Sequence, residues 1–187
     1  MLLTGTEAED PGTACYWYAL YTRHQHEKTI ARILSNKEHE VFLPLYSTSH
    51  RWQDRTKQLY LPLFPGYVFL RGGLDRRLQI LSTPGVYAIV GCAGRPAVIP
   101  QAEIEAVYRL VESPLRVEPH PFLKYGERVR VKSGPLQGLE GILVARKNLF
   151  RLIISLEMLG RSAAVEVDIS SVEPMSSPLA AAPEDAS

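Results

Sequence analysis

An α+β domain, in which helices cover one side of a mostly antiparallel sheet, followed by a small β-barrel is the fold class that this sequence predicts. Three observations carry it. Apolar residues recur at helical spacing between short aromatic or β-branched runs up to residue 112. A stretch with three prolines follows (Pro114, Pro119, Pro121). After residue 150 the pattern changes to alternation with a period of two, the mark of half-buried strands.

The elements follow in order. Tyr16 to Thr22 is aromatic and apolar throughout and reads as a strand. His26 to His39 fits a helix, because Ile30, Ile33 and Leu34 make a buried stripe. Val41 to Tyr46 is a second strand, and the polar, basic Ser47 to Lys57 an exposed hairpin tip. Leu59 to Leu70 reads as one long strand kinked at Pro62 and Pro65, which cannot donate to a ladder and so belong at edges or bulges. Asp75 is placed to cap a short helix reaching Leu81, which Thr83-Pro84-Gly85 stops. Val86 to Val90 and Pro96 to Ile99 are strands. Pro100 opens a helix with Ile104, Val107, Tyr108 and Val111 on one face. Residues 113–123 show no apolar period and read as a proline-stiffened linker. Beyond it, Phe150, Leu152, Ile154 and Leu156, and then Val165, Val167 and Ile169, alternate with polar residues. The expected layout is a disordered tail at 1–14, a first domain at 15–112, the linker at 113–123, a barrel at 124–173 and a second tail at 174–187.

Composition excludes several classes. No apolar run approaches the roughly 20 residues that span a bilayer. Met1 to Thr13 has no secretory pattern, so a cytoplasmic location is expected. Cys15 and Cys92 are too few and too isolated for a disulfide framework or a zinc knuckle. His24 and His26 form a close pair without a carboxylate or cysteine partner, so no metal and no cofactor is expected. The chain has no P-loop, nucleophile elbow or Cys-His signature, and is read as a non-enzyme. Net charge is +1, but residues 16–80 hold ten Lys or Arg against five acids, so the first half is suited to face phosphate.

Two motifs point to function. One is Leu63-Phe64-Pro65-Gly66-Tyr67-Val68-Phe69, two aromatic strands around a Pro-Gly turn. The other is Gly126-Glu127-Arg128-Val129-Arg130-Val131 with Ser133-Gly134-Pro135-Leu136-Gln137-Gly138-Leu139-Glu140-Gly141. In this order they resemble the NusG family of transcription elongation factors across residues 16–173. The first resembles the core of its N-terminal polymerase-binding domain, the second its C-terminal KOW motif, a five-stranded SH3-like β-barrel. The wording LPLFPGY and PAVIP resembles the specialised, RfaH-like antiterminator branch.

The resemblance implies a monomeric, membrane-free regulator that binds the clamp helices of RNA polymerase's largest subunit and suppresses pausing or termination. Trp17, Phe42, Phe64 and Tyr67 are then the polymerase-binding residues. Arg23, Ser82 and Thr83 match positions that contact the non-template DNA strand in some relatives. A second partner, such as a ribosomal protein, would dock on the KOW barrel through Leu136, Leu139, Met158, Leu159 and Arg161. Leucines replace the large aromatics that general NusG proteins present there, which weakens the case for Rho. Some specialised relatives refold this domain as a helical hairpin. Leu139 to Phe150 has near-helical spacing, but Gly138, Gly141 and the alternation after Phe150 favour the barrel. A ribosome-associated, RNA-binding KOW protein is the alternative reading.

Overall fold

The computed structural model describes residues 15–52, 55–72, 74–124, 126–146 and 149–175. The expected tail at 1–14, residues 53–54 of the expected hairpin tip and all of the second tail beyond Met175 lie outside them.

Strand β1, Tyr16–Thr22, leads into helix α1, Glu27–Asn36. The short β2, Glu40–Phe42, is followed by a long hairpin of β3, Leu45–Trp52, and β4, Arg55–Pro62. Strand β5, Tyr67–Gly72, and the single-turn helix α2, Arg77–Leu81, precede β6, Val86–Ile89. A small hairpin of β7, Gly91–Cys92, and β8, Arg95–Pro96, leads to helix α3, Gln101–Glu112. The first sheet has the order β2-β5-β1-β6, with every pair antiparallel.

Its two faces differ in chemistry. Because side chains alternate across a strand, Leu20, Val68 and Leu70 meet Ile30 and Leu34 of α1 and Ile80 of α2, an aliphatic cluster. The opposite face carries Trp17, Ala19 and Phe69, against which α3 lays Ile104, Val107 and Leu110. Tyr108, read as part of that stripe, is 53% exposed at its edge.

Several sequence expectations need correction here. The single strand expected over Leu59–Leu70 is two strands in different sheets, because the chain reverses at Pro65-Gly66. Likewise Leu43-Pro44 divides the strand expected over Val41–Tyr46. Asp75 does not cap α2; Arg76 takes the cap position and no side-chain bond is made. The strand expected over Pro96–Ile99 is cut to β8 and one isolated bridge between Ile99 and Trp17.

The second half is built from β9, Val117–Pro121, β10, Glu127–Val131, β11, Glu140–Arg146, β12, Leu149–Leu156, β13, Arg161–Val167, and β14, Val172–Pro174. Their order is β14-β10-β11-β12-β13-β9. The five strands expected of the barrel are joined by a sixth, β9, drawn from the segment read as a linker. Pro119 and Pro121 are tolerated because β9 lies at the end of the sheet, paired on one side only, to β13. Arg151 fixes it further, bonding Glu118 of β9 while lying 3.8 Å from Glu166 of β13. The stretch with near-helical spacing forms β11 and β12. Gly141 is required there, since a Cβ would meet the Ile153 carbonyl oxygen of the neighbouring strand at 2.6 Å. One buried cluster runs unbroken from Trp17 and Phe69 to Val129, Leu139, Leu152 and Val165, so this half packs on the aromatic face of the first sheet and on α3.

Candidate partner-binding surface

The aromatic face is assembled by strand register. Across β1 and β5, Trp17 pairs with Arg71, Ala19 with Phe69 and Tyr21 with Tyr67; across β2, Glu40 pairs with Arg71 and Phe42 with Phe69. Directly paired residues share a face, so five aromatics and an ion pair lie on it. Phe42 is the hub, its ring 6.3 Å from Trp17, 6.1 Å from Phe69 and 5.8 Å from Tyr108 of α3. A second group lies at the other end, with Tyr21 5.9 Å from Tyr67 and 5.6 Å from Tyr87. Tyr21 and Tyr87 are exposed and Tyr67 half-buried.

The Pro-Gly turn sets the position of Phe64 and Tyr67. The Tyr67 N–H donates to the Phe64 carbonyl, and Gly66 adopts φ +83°, as a turn with Pro second and Gly third demands. Glu27, in the first turn of α1 and 2% exposed, accepts from the Gly66 N–H at 2.8 Å. The Gly66 carbonyl in turn accepts from the Thr22 N–H at 2.8 Å. The turn is thus held from both sides. A glutamate early in a helix usually faces water, so nothing in the sequence marked Glu27 for this role.

Of the four residues expected to bind polymerase, Phe42 and Tyr67 are half-buried on this surface and Trp17 lies beneath its rim. Phe64 does not reach the surface. It is 1% exposed and packs edge-on against Phe69, because the turn that follows folds it inward.

Of the expected nucleic-acid residues, Arg23 follows the end of β1 beside Tyr21, Tyr67 and Tyr87. Arg23 and Ser82 are exposed, and the Arg23 N–H bonds the Gly85 carbonyl at 2.7 Å. Thr83 is different. It is 1% exposed, its hydroxyl donates to the Gln79 carbonyl and it accepts from Lys37 Nζ at 2.8 Å. Its side chain ties α1 to α2 and is not free to read a base.

Two of the three expected docking leucines of the second half are also core. Leu136 and Leu139 are buried because the loop folds back on β10, with Gly138 N–H bonding the Val131 carbonyl at 2.8 Å. Arg109 of α3 clamps the same loop, donating to the Gln137 carbonyl at 2.5 Å. Met158 and Leu159 are half-buried against the shared cluster, leaving Arg161 as the exposed member.

Between α3 and the second half lies a cleft of about 640 Å³, lined by Glu103, Arg109, Lys124, Arg128, Glu140 and Glu157 among others. Burial pushes the Glu103 carboxyl above its ordinary pKa, and the nearby charge of Glu157 pushes it the same way. A backbone hydrogen bond at Glu157 offsets part of this, while Glu103 Oε2 finds no partner. Among the described residues, no three His, Cys, Asp or Glu are grouped to hold a metal ion, and no helix is long and apolar enough to cross a membrane.

The profile of a family described as "Transcription termination factor nusG" matches residues 15–108, which span the first sheet and most of α3. The transcription termination/antitermination protein NusG of Staphylococcus carnosus is 27% identical over 175 residues, covering 84% of this chain and 94% of that protein. Its counterpart from Borreliella burgdorferi is 28% identical over 182 residues, with 84% and 97% covered. Among solved structures, one described as "Domain interaction in Thermotoga maritima NusG" superposes with a TM-score of 0.56 at 22% identity, covering 87% of this chain and 98% of that one. The fold is therefore NusG-like in both halves. Since the family profile spans just over half of the sequence and coincides with the sheet that builds the aromatic face, the chain belongs to the NusG family, whose members are transcription factors.

Proposed function

We propose that the protein is a transcription elongation and antitermination factor that binds the clamp helices of RNA polymerase through the aromatic face of its first sheet. One observation carries the reading. Trp17, Phe42, Phe69 and Tyr108 form a ring-to-ring cluster on the sheet face that, among the described residues, α3 covers and α1 and α2 do not. Aromatic residues with a polar tip, set at the edge of a packed cluster, are the side chains that anchor partner helices. No chemical step is needed. A factor that binds one state of the polymerase more tightly than another raises the population of that state, which suffices to suppress pausing or termination.

Arg23 and Ser82 are suited to touch the displaced DNA strand, Arg23 through phosphate and Ser82 through its hydroxyl. With Leu136 and Leu139 in the core, a second partner such as a ribosomal protein would engage Arg161 and the exposed edges of Met158 and Leu159. Affinity co-purification tests the reading. The tagged full chain should retain core RNA polymerase. Retention of ribosomal subunits in place of polymerase would overturn it in favour of a ribosome-bound protein.

A further inference from the structure

Tyr67 is half-buried beside the exposed Tyr21 and leaves directly from the Pro65-Gly66 turn. How it is presented therefore depends on the peptide planes of that turn. Two of these planes are held from outside it. The Gly66 carbonyl, in the peptide joined to Tyr67, accepts from the Thr22 N–H at 2.8 Å. The Gly66 N–H, in the peptide joined to Pro65, donates to Glu27 Oε1 at 2.8 Å. The first of these bonds comes from the neighbouring strand. The second comes from a side chain 39 residues away and 2% exposed.

Pro-Gly favours the turn observed, with Gly66 at φ +83°. Glycine also admits negative φ, and the commonest turn with Pro second uses it. Both turns keep the bond from the Tyr67 N–H to the Phe64 carbonyl. They differ in the peptide between the two central residues, which is turned over. Here that peptide is Pro65-Gly66, whose N–H Glu27 holds. In a trans peptide the C=O and N–H point in opposite directions. The flipped turn would therefore aim the Pro65 carbonyl at the Glu27 carboxylate, oxygen against oxygen. Glu27 thus discriminates between the two turns, which an apolar side chain of the same size could not do. Its place in the first turn of α1, where the helix dipole favours a carboxylate, offsets the cost of burying the charge.

We infer that Glu27 is a positioning residue for partner binding: it selects the turn in which the Gly66 N–H points inward, and so holds Tyr67 in the orientation that meets the partner. It does this without touching the partner itself. The inference rests on the proposed binding of polymerase through Tyr67. It adds the group that sets this tyrosine in place before the partner arrives. When only a fraction of the molecules holds the competent turn, affinity falls in proportion to that fraction.

The test measures binding of core RNA polymerase to the full chain, well below its melting temperature. The variants are Glu27→Ala, Glu27→Gln, Tyr67→Ala and the double variant of Glu27→Ala with Tyr67→Ala. Glu27→Ala should raise Kd about three- to tenfold. Glu27→Gln, whose amide oxygen still accepts from Gly66, should stay within about twofold of the wild type. The double variant separates positioning from stability: added to Tyr67→Ala, Glu27→Ala should change Kd by less than about twofold. Wild-type affinity in folded Glu27→Ala would overturn the inference and leave the functional reading intact. An equal loss with and without Tyr67 would overturn it too, because Glu27 would then act elsewhere. Absence of binding by the wild type would overturn the functional reading and this inference with it. If Glu27→Ala fails to fold, Glu27→Asp, which withdraws the carboxylate from Gly66 by one methylene, takes its place with the same expected and contrary results.

Discussion

The two faces of the first sheet are built from the same strands by the same alternation, yet they solve different problems. One is closed by α1 and α2 with Leu20, Ile30, Leu34, Val68, Leu70 and Ile80, aliphatic side chains buried to 1% exposure or less. The other uses Trp17, Phe42, Phe64, Phe69 and Tyr67, is covered by α3 alone within the first half, and is completed by the second half of the chain. Aliphatic packing suits a seam that never opens, because Leu and Ile fill space tightly and carry no polar atom. Rings with a polar edge suit a seam that exchanges partners, since Trp, Tyr and Arg gain from burial and still tolerate water. The difference is what the proposed function builds on, with binding assigned to the face whose cover comes from elsewhere.

The sharpest way to break the comparison is to cut into each face at depth. Leu34→Ala should destabilise the protein by about 2–5 kcal/mol and Phe64→Ala by about 3–5 kcal/mol. Thermal melts measure both. Phe64→Ala acting only on binding, with an unchanged melt, would return Phe64 to the surface role that the sequence suggested for it.

A smaller effect is expected at the latch between the faces. Glu27→Ala leaves the Gly66 N–H without its acceptor and should cost about 1–3 kcal/mol, whereas Glu27→Gln keeps an acceptor oxygen and should lose less. Chemical denaturation of the two variants separates these outcomes.

Much of this was legible in the sequence where one segment carries its own signal. β1 is an unbroken aromatic and apolar run, and it forms as read. The helical stripe through Ile30 and Leu34 and the alternation through Leu152, Ile154 and Leu156 also reach the core. What could not be read depends on neighbours far along the chain. The Pro65-Gly66 turn was legible as a motif, but nothing local says that the strands on its two sides belong to different sheets. Pro119 and Pro121 disguised β9, because Pro is admissible in a strand at a sheet edge and the sequence does not reveal which strands are edges. Leu136 and Leu139 were placed on the surface by resemblance, and only the fold-back of their loop onto β10 and the clamp from Arg109 send them inward. Glu27 and Arg71 carried no signal, as their partners lie 39 and 31 residues away.

The subtlest expected effect concerns the seam between α3 and the second half. Burial and the charge of Glu157 raise the Glu103 pKa in the packed arrangement above its value in open solvent, so packing takes up a proton. The association of the two halves should therefore strengthen as pH falls through this raised pKa towards the ordinary glutamate value, and weaken as Glu103 ionises at higher pH. Glu103→Gln removes the ionisation and should flatten the profile over that window, with packing at neutral pH as firm as the wild type's at low pH. Amide chemical shifts of Gln137 and Glu157 across a pH titration provide the measurement, and a wild-type profile already flat in that range would disprove the link.

Binding of core RNA polymerase to the full chain carrying Tyr67→Ala tests the central claim most directly. Tyr67 stands half-buried on the aromatic face beside the exposed Tyr21, where a partner can reach it without unfolding the core. Loss of an anchor of about 1–2 kcal/mol corresponds to a Kd raised roughly five- to thirtyfold, with the melting temperature within a few degrees of the wild type. An affinity equal to the wild type's would contradict the assignment of this face to the polymerase.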